Sequence, residues 1–252
     1  QNIFLQGTSS QIGIDIGPTY GAVYRNVNCK SLGENIHLRF ALRTTVENCF
    51  STNCNKGWIA DIGNWTGASG SNSQSNHTTF RSCRWFGSGD LGFLIFSSSG
   101  CVVEDCIVEG QSVRVGIEWD GNSSTVVKDG TVRNCHFECT GGATEAFIKV
   151  RLYGGEFTLD KTYGQYASIL LDAGATVGYL NVVMSNVPYW VKKSGKLFNN
   201  AGNVSWVFLW NDCMQTSAPT TDVPGYFNGT VPSQCSGAGC GSNRFFYTPV
   251  PR

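Results

Sequence analysis

Short blocks in which apolar and polar residues alternate recur along most of the chain. In each block the first and third residues are apolar and the second and fourth vary, so one face is suited to burial. The blocks are Ile36–Arg39, Trp58–Asp61, Phe93–Phe96, Ile117–Asp120 and Ile148–Arg151, with Ile14–Ile16 before them and Ile169–Asp172 and Tyr189–Lys192 after them. A period of two predicts short β-strands, each with one face directed toward a core.

A second set of segments aligns on a cysteine. Asn, Ser or Asp stands directly before each cysteine, and these residues favour tight bends because their side chains bond to nearby backbone. The aligned cysteines are Cys29, Cys49, Cys83, Cys106 and Cys135, and successive ones lie 20 to 34 residues apart. One inward cysteine per unit predicts a ladder of buried, reduced thiols, because side chains stacked in parallel have poor geometry for a disulfide.

The other six of the eleven cysteines, which include Cys54, Cys101 and Cys139, fall outside this register. Cys235 and Cys240 with Cys213 have some likeness to a zinc site, but the third ligand is remote and no histidine is near. We therefore expect no bound metal and no other cofactor. Reduced thiols also suit folding in a reducing compartment such as the bacterial cytosol.

A unit of this length, with two short strands and Asn or Gly bends, cannot bury its own apolar face. Stacking successive units, with strands about 4.8 Å apart, buries that face continuously. We therefore predict an all-β parallel β-helix, a solenoid, over residues 1–211, with loops such as 63–79 on its rungs. A β-sandwich is the alternative, but it would not require one apolar column and one cysteine at coil intervals.

Residues 212–252 lose the periodicity and are rich in Thr, Pro, Gly and Ser. Because a β-helix exposes its core at an open end, we predict that this segment forms an irregular C-terminal cap or an intersubunit segment. A disordered tail is the alternative, which Phe245, Phe246 and Tyr247 disfavour.

Composition restricts the partners. Of the 252 residues, 41% are apolar, 14% are charged, and Lys plus Arg equals Asp plus Glu at 18 each. A net charge of zero argues against a nucleic acid or an anionic membrane bound by bulk charge. No apolar run reaches the length of a membrane span, so we expect no membrane insertion. The opening residues 1–6 read as a strand rather than as a signal peptide.

The Asn-Cys bends, the apolar-in and polar-out rungs and the Gly-Ile and Gly-Phe strand starts resemble the right-handed parallel β-helix of pectate-lyase-like proteins. Within that superfamily the chain is most similar to bacteriophage tailspikes and polysaccharide depolymerases. The resemblance covers roughly residues 1–210 and rests on periodicity, since no catalytic motif of pectate lyases or polygalacturonases is present. It implies a homotrimer that recognises cell-surface polysaccharide, often cleaving it with paired carboxylates.

The same resemblance implies a protein of the virion tail that folds in the host cytosol and assembles with other tail proteins. A cellular relative would be secreted. Three functions stay open at this point. They are hydrolysis of capsule or O-antigen as an endoglycosidase, a non-catalytic receptor-binding or virion structural role, and a secreted polysaccharide lyase. A lyase would need a Lys, His or Tyr base beside a cation that binds uronate.

Outward positions form columns of charge. Glu47, Arg81, Glu104 and Arg133 alternate in sign from rung to rung, which predicts a structural ladder worth little per pair. A second column also mostly alternates, and it consists of Arg39, Asp61, Phe96, Asp120, Arg151, Asp172 and Lys192.

Two carboxylate pairs are candidates for catalysis. Glu118 and Asp120 lie two residues apart on one strand face, and contact with Leu94 would partly desolvate Glu118, as suits a general acid. Glu109 and Glu138 would be like charges on adjacent rungs with no cation in their column. Stable surfaces avoid this arrangement, so it indicates a function or a bound cation. The alternative is a bend at Gly110 that splays the two glutamates into solvent.

The separation of a carboxyl pair bears on its chemistry. About 5 Å suits a retaining glycosidase and about 6.5–9.5 Å an inverting one. Candidate substrate contacts are His136 and Arg84, which flank the Glu109 and Glu138 column, together with Asp61, Phe96 and Trp190. Sugar rings stack on exposed aromatic side chains such as Phe96, Trp190 and Trp65, but such groups serve trimer contacts equally well.

Overall fold

The computed structural model describes residues 2–61, 74–121, 128–139, 143–151, 153–173, 176–185, 189–199, 206–210, 227–228 and 244–248. Within these ranges there are 24 β-strands and no helix, and the strands pair in parallel throughout. No helix in these ranges has the length and apolar character that a membrane span requires.

The larger sheet contains thirteen of the described strands. They are β1 (Ile3–Gln6), β2 (Ile12–Ile16), β5 (Val27–Lys30), β6 (Glu34–Arg39), β9 (Phe50–Thr52), β10 (Lys56–Asp61), β12 (Arg84–Phe96), β14 (Ile107–Asp120), β16 (His136–Cys139), β17 (Ala143–Val150), β19 (Tyr163–Ala173), β21 (Tyr189–Asn199) and β23 (Phe227–Asn228).

The second sheet contains nine of the described strands, and a third contains two. The nine are β4 (Val23–Arg25), β8 (Thr45–Glu47), β11 (Thr79–Arg81), β13 (Val102–Glu104), β15 (Gly130–Arg133), β18 (Tyr153–Asp160), β20 (Thr176–Ser185), β22 (Trp206–Trp210) and β24 (Arg244–Thr248). The two are β3 (Thr19–Tyr20) and β7 (Ala41–Leu42). Neighbours in the nine-stranded sheet follow one another in chain order, with strands of the larger sheet between them, so the chain coils.

The core fills the space inside the coils. In the five central blocks the first and third residues are buried, as the alternation predicts, and they are Ile36, Leu38, Trp58, Ala60, Phe93, Ile95, Ile117, Trp119, Ile148 and Val150. In the first block Ile16 is buried and Ile14 is half-buried. Aromatic rings stack from rung to rung, as the Trp58 and Phe93 centroids do at 4.7 Å. Each large side chain so buried contributes roughly 1.5–3 kcal/mol to folding. The predicted parallel β-helix is confirmed.

Tight bends join the strands where the sequence places Asn, Ser and Asp. Asn48, Ser82, Asp105 and Asn134 have φ between 50° and 54°, a left-handed conformation that such residues tolerate best. The cysteine after each of them is buried and free, as predicted for a ladder of reduced thiols; the four are Cys49, Cys83, Cys106 and Cys135.

The prediction that Cys29 belongs to this ladder is wrong. The bend of the first coil falls on Asn26, at φ 60°, and not on Asn28. Cys29 therefore lies two residues further along its strand and pairs with Ser51. It is still buried, and burial raises the pKa of its thiol to about 12. Two asparagines precede this cysteine, and the pattern alone does not say which one bends.

The alignment of the last two blocks is also wrong. Leu171, rather than Ile169, pairs with Ile148, so Asp172 lies beside Lys149 and not in the Asp120 and Arg151 column. Trp190 pairs with Gln165, which pairs with Glu138, so Trp190 falls in the line of the glutamates. The alternation alone does not fix these registers, because β19 and β21 are each 11 residues long and the predicted blocks occupy only part of each strand.

Part of the C-terminal segment joins the sheets. Phe227–Asn228 pairs in parallel with β21, and Arg244–Thr248 pairs in parallel with β22. The capping or intersubunit role of residues 212–252 and the boundary at 211 stay predictions. Most of loop 63–79, with Trp65, lies outside the described residues, as do Cys213, Cys235 and Cys240.

Candidate functional site

Strand pairing places Glu109 and Glu138 side by side. The two residues are direct partners between β14 and β16, as the sequence predicted. Val108 and Phe137, one residue earlier, are fully buried, so the two glutamates project outward. Their side chains are 31% and 32% exposed. The pairing of β14 with β16 ends at Gly110 and Cys139. One oxygen of each glutamate lies within 4.8 Å of the other, so the alternative in which a bend at Gly110 splays the two side chains apart is wrong.

His136 joins the two carboxylates. Its Nε2 atom lies 3.4 Å from Oε2 of Glu138 and 3.9 Å from Oε1 of Glu109. One oxygen of each carboxylate and one ring nitrogen all lie within 4.8 Å of one another, an arrangement that could hold a metal ion. In the described part of the chain, neither glutamate forms an ion pair with a lysine or arginine.

The two glutamates line a cleft of about 540 Å³. This volume lies within the range of ligand sites in proteins. The other lining residues are Asn53, Phe86, Gly87, Ser88 and Gly110. Phe86 is the rung partner of Glu109, and its ring packs against Phe50 with centroids 5.5 Å apart. The cleft thus combines two carboxylates, a partly exposed aromatic face and small polar groups.

Two glycines shape the wall of the cleft. Gly87 has φ of +121°, and a side chain there would meet the Asn53 amide at 2.0 Å. A side chain on Gly110 would meet the Gly87 carbonyl at 2.0 Å. The pairing of β12 with β14 shifts register directly after Gly87. The sequence analysis missed Asn53, Gly87 and Ser88, although glycines inside a strand pattern are a signal for such an irregularity.

The second carboxylate pair has a different environment. Glu118 has Leu94 and Lys149 as rung partners, as predicted. However, Glu118 is only 5% exposed and contacts Arg114 at 3.1 Å and Arg151 at 3.7 Å. Arg151 also lies 3.8 Å from Asp120. This is the geometry of a compensated ion-pair network, and a catalytic role for Glu118 and Asp120 stays a prediction.

Asp61 belongs to another cluster, in which His37 bridges two carboxylates. Nε2 of His37 lies 3.2 Å from Asp61, and Nδ1 lies 2.8 Å from Glu34. Burial acts to lower the pKa of His37, but the hydrogen bonds to Asp61 and Glu34 outweigh it, so this pKa is raised. The same hydrogen bond from His37 lowers the pKa of Glu34. Asp61 thus has an internal partner, and its substrate-binding role stays a prediction.

The other predicted contacts divide between two places. Arg84 is exposed and is the rung partner of Ile107, which pairs with His136. It has no ion-pair or hydrogen-bond partner among the described side chains. Trp190 follows two rungs after Glu138 by register, and its side chain lies outside the described residues. Phe96 is half-buried and pairs with Asp120 at the far end of β14.

A family model described as a right-handed β-helix region matches residues 2–160. The chain belongs to the right-handed β-helix family. No curated protein and no solved structure matches the chain. The family description gives an architecture and no chemistry, so the function of this β-helix has to be argued from its own side chains.

The predicted charge ladder of the β-helix is confirmed. Glu104 is 4% exposed and accepts hydrogen bonds from Arg81 at 2.5 Å and from Arg133 at 2.6 Å. Arg25 and Glu47 pair at 2.7 Å at the start of the same ladder. Burial acts to raise the pKa of Glu104, but the hydrogen bonds from the two guanidinium groups outweigh it and lower this pKa. Glu104 is therefore a structural carboxylate.

Proposed function

We propose that this β-helix binds and hydrolyses a cell-surface polysaccharide, such as capsule or O-antigen, as a phage tailspike-type endoglycosidase. The reacting groups are Glu109 and Glu138. One observation supports this most: two outward carboxylates with oxygens within 4.8 Å share a cleft with a partly exposed phenylalanine. Stable surfaces avoid uncompensated like charges at this spacing, so the pair has a use other than stability.

The spacing favours the retaining mechanism. Carboxyl groups about 5–5.5 Å apart suit retention, whereas inversion requires room for a water between them. His136 lies closer to Glu138 than to Glu109, so we assign the nucleophile to Glu138 and the general acid to Glu109. Glu109 protonates the leaving oxygen while Glu138 bonds to the anomeric carbon. Water then displaces Glu138, and Glu109 takes the proton of that water.

The cleft also offers groups that hold a sugar. The face of Phe86 serves for stacking, and Asn53 and Ser88 supply hydrogen bonds. Arg84 lies exposed on the flank of the site, and Trp190 follows in the line of the glutamates. We propose that the glycan chain runs along this line, across successive rungs.

The assembly that we propose is a homotrimer in the virion tail, in contact with other tail proteins. It is supported by the resemblance of the repeat pattern to tailspikes. A virion protein also suits the free cysteines of the described residues, because a chain that folds in the reducing cytosol of a host keeps its thiols unpaired.

Release of reducing ends from capsule and lipopolysaccharide panels tests the proposal. Glu109→Gln and Glu138→Gln should each lower the rate by about a thousandfold, because each removes a reacting group. The double variant Glu118→Gln with Asp120→Asn is the matched control, and it should retain the rate. The first product released should have the anomeric configuration of the substrate, which NMR of a fresh digest reports.

Other outcomes would contradict the proposal. Binding without release from any glycan would indicate a non-catalytic receptor-binding or structural protein. An unsaturated sugar at the new chain end would indicate a lyase. Loss of release only in the control variant would move the site to the other end of β14.

A further inference from the structure

We propose that Glu109, His136 and Glu138 bind a divalent transition-metal ion of the Zn²⁺ class, and that bound metal blocks hydrolysis. The binding site stands on the geometry of the three side chains. The inhibition rests on the proposed function, because it requires that the same carboxylates react.

The distances around His136 are longer than good hydrogen bonds, and one of them matches the spacing between two ligands of a metal ion. Good N–H···O bonds measure about 2.9–3.0 Å, whereas Nε2 lies 3.4 Å from Glu138 and 3.9 Å from Glu109. Ligands at about 2.0–2.2 Å from a tetrahedral ion lie roughly 3.3–3.6 Å from one another. Both carboxylates approach the same ring nitrogen, and the three donor atoms lie within 4.8 Å of one another. The oxygen of Glu109, at 3.9 Å from Nε2, has to move closer for all three atoms to bind one ion.

The donor set suits the Zn²⁺ class. Imidazole nitrogen and carboxylate oxygen are both donors that Zn²⁺ accepts, and three protein ligands leave a fourth position of a tetrahedral ion open. A divalent cation also balances the two carboxylate charges. This explains how two like charges persist on adjacent rungs when neither pairs with a lysine or arginine in the described part of the chain.

Metal binding and hydrolysis use the same lone pairs. When Glu138 donates an oxygen to the ion, it is no longer a free nucleophile. When Glu109 does so, it cannot carry the proton that the leaving oxygen needs. An ion at this point therefore converts the hydrolase into an inactive, metal-bound form, and a chelator reverses the change.

Metal titration of the chelator-treated protein tests the site directly. Zn²⁺ binding is followed by calorimetry, and Co²⁺ binding by the visible absorption of a tetrahedral complex. The wild type should bind one ion per chain, and His136→Gln and Glu138→Gln should weaken binding by about tenfold or more. The matched control is His77→Asn, because His77 is exposed elsewhere and asparagine tolerates its φ of 55°. The control should bind like the wild type.

The outcomes separate the two proposals. No Zn²⁺ binding by the wild type, or equal binding by His136→Gln, would overturn the metal site and leave the hydrolase intact. Metal binding without hydrolysis of any glycan would support the site and overturn the proposed function. With both activities present, saturating Zn²⁺ should abolish release of reducing ends and EDTA should restore it. Release that continues at saturating Zn²⁺ would overturn the inhibition.

Discussion

Two clusters of the same composition lie on the larger sheet, each with two carboxylates and one histidine. In the first, Glu34 and Asp61 contact opposite ring nitrogens of His37, at 2.8 Å and 3.2 Å. In the second, both carboxylates approach Nε2 of His136, at 3.4 Å and 3.9 Å. His37 thus bridges two carboxylates through its two ring nitrogens. In the second cluster, both carboxylates face the same nitrogen of His136.

The two clusters also differ in burial and in the positive charges beside them. His37 is 6% exposed, Lys56 lies 3.4 Å from Glu34, and Arg39 contacts the His37 ring at 3.3 Å. The His136 cluster is partly exposed and lines a cleft. Groups with short hydrogen bonds to one another contribute to stability, whereas partly exposed carboxylates without a lysine or arginine partner among the described residues are candidates for binding a ligand. Geometry, rather than residue type, thus distinguishes the structural cluster from the one for which we propose a function.

The largest effect that we predict on stability is the loss of the buried histidine. His37→Gln removes hydrogen bonds to two carboxylates in a site with little water, so unfolding free energy should fall by about 2 kcal/mol. His136→Gln in the exposed cluster should change it by no more than about 0.5 kcal/mol. Urea denaturation of both variants beside the wild type measures the difference. Equal losses of unfolding free energy would mean that both clusters stabilise the fold to the same extent.

The pH dependence of stability sharpens the comparison. The folded pKa of His37 is raised above its ordinary value near 6.5, so protonation stabilises the fold. This contribution is complete below pH 6.5 and is lost as the pH rises through the folded pKa. The stability gap between wild type and His37→Gln should therefore shrink as the pH rises from 5.5 to 9.

The groups that face His37 are Glu34 and Asp61, with Arg39 and Lys56 nearby. The variant removes the histidine and leaves these four groups in place, so the difference between the two proteins reports the contribution of the imidazole. Denaturation midpoints at several pH values, with His136→Gln as control, provide the measurement. A gap that widens with pH would mean that His37 is buried in its neutral form.

The sequence predicts the fold and the main carboxylate pair well, because both depend on strand periodicity. Alternation puts Val108 and Phe137 in the core, and this alone forces Glu109 and Glu138 outward on adjacent rungs. The ladder of Glu104 between two arginines follows from the same rule. Such predictions hold wherever the coil spacing is regular, since a parallel register carries one position to the next.

What the sequence did not predict depends on irregularities and side-chain rotations. Trp190 lies in the line of the glutamates because it pairs with Gln165, a register that the alternation of this long strand does not fix. The cleft owes its wall to the close approach of Gly87 and Asn53, which no alternation encodes. His37 and Asp61 meet only through their chosen rotamers, so the outward pattern of Asp61 resembled a free group. Each of these features is set by tertiary packing rather than by local pattern.

The smallest effect that we predict is a gain. Glu138→Gln removes one of two like charges whose oxygens lie within 4.8 Å, which in water repel by roughly 1 kcal/mol before screening. We expect the metal-free variant to be more stable by about 0.5 kcal/mol at low salt, with the gain fading near 1 M NaCl because the screening length falls to about 3 Å. Glu104→Gln is the matched control, since the same substitution between two arginines should destabilise the fold. A loss of stability in both variants would show that Glu138 is structural. A gain for Glu138→Gln with a loss for Glu104→Gln would mean that the native protein is less stable because it keeps the Glu109 and Glu138 pair together.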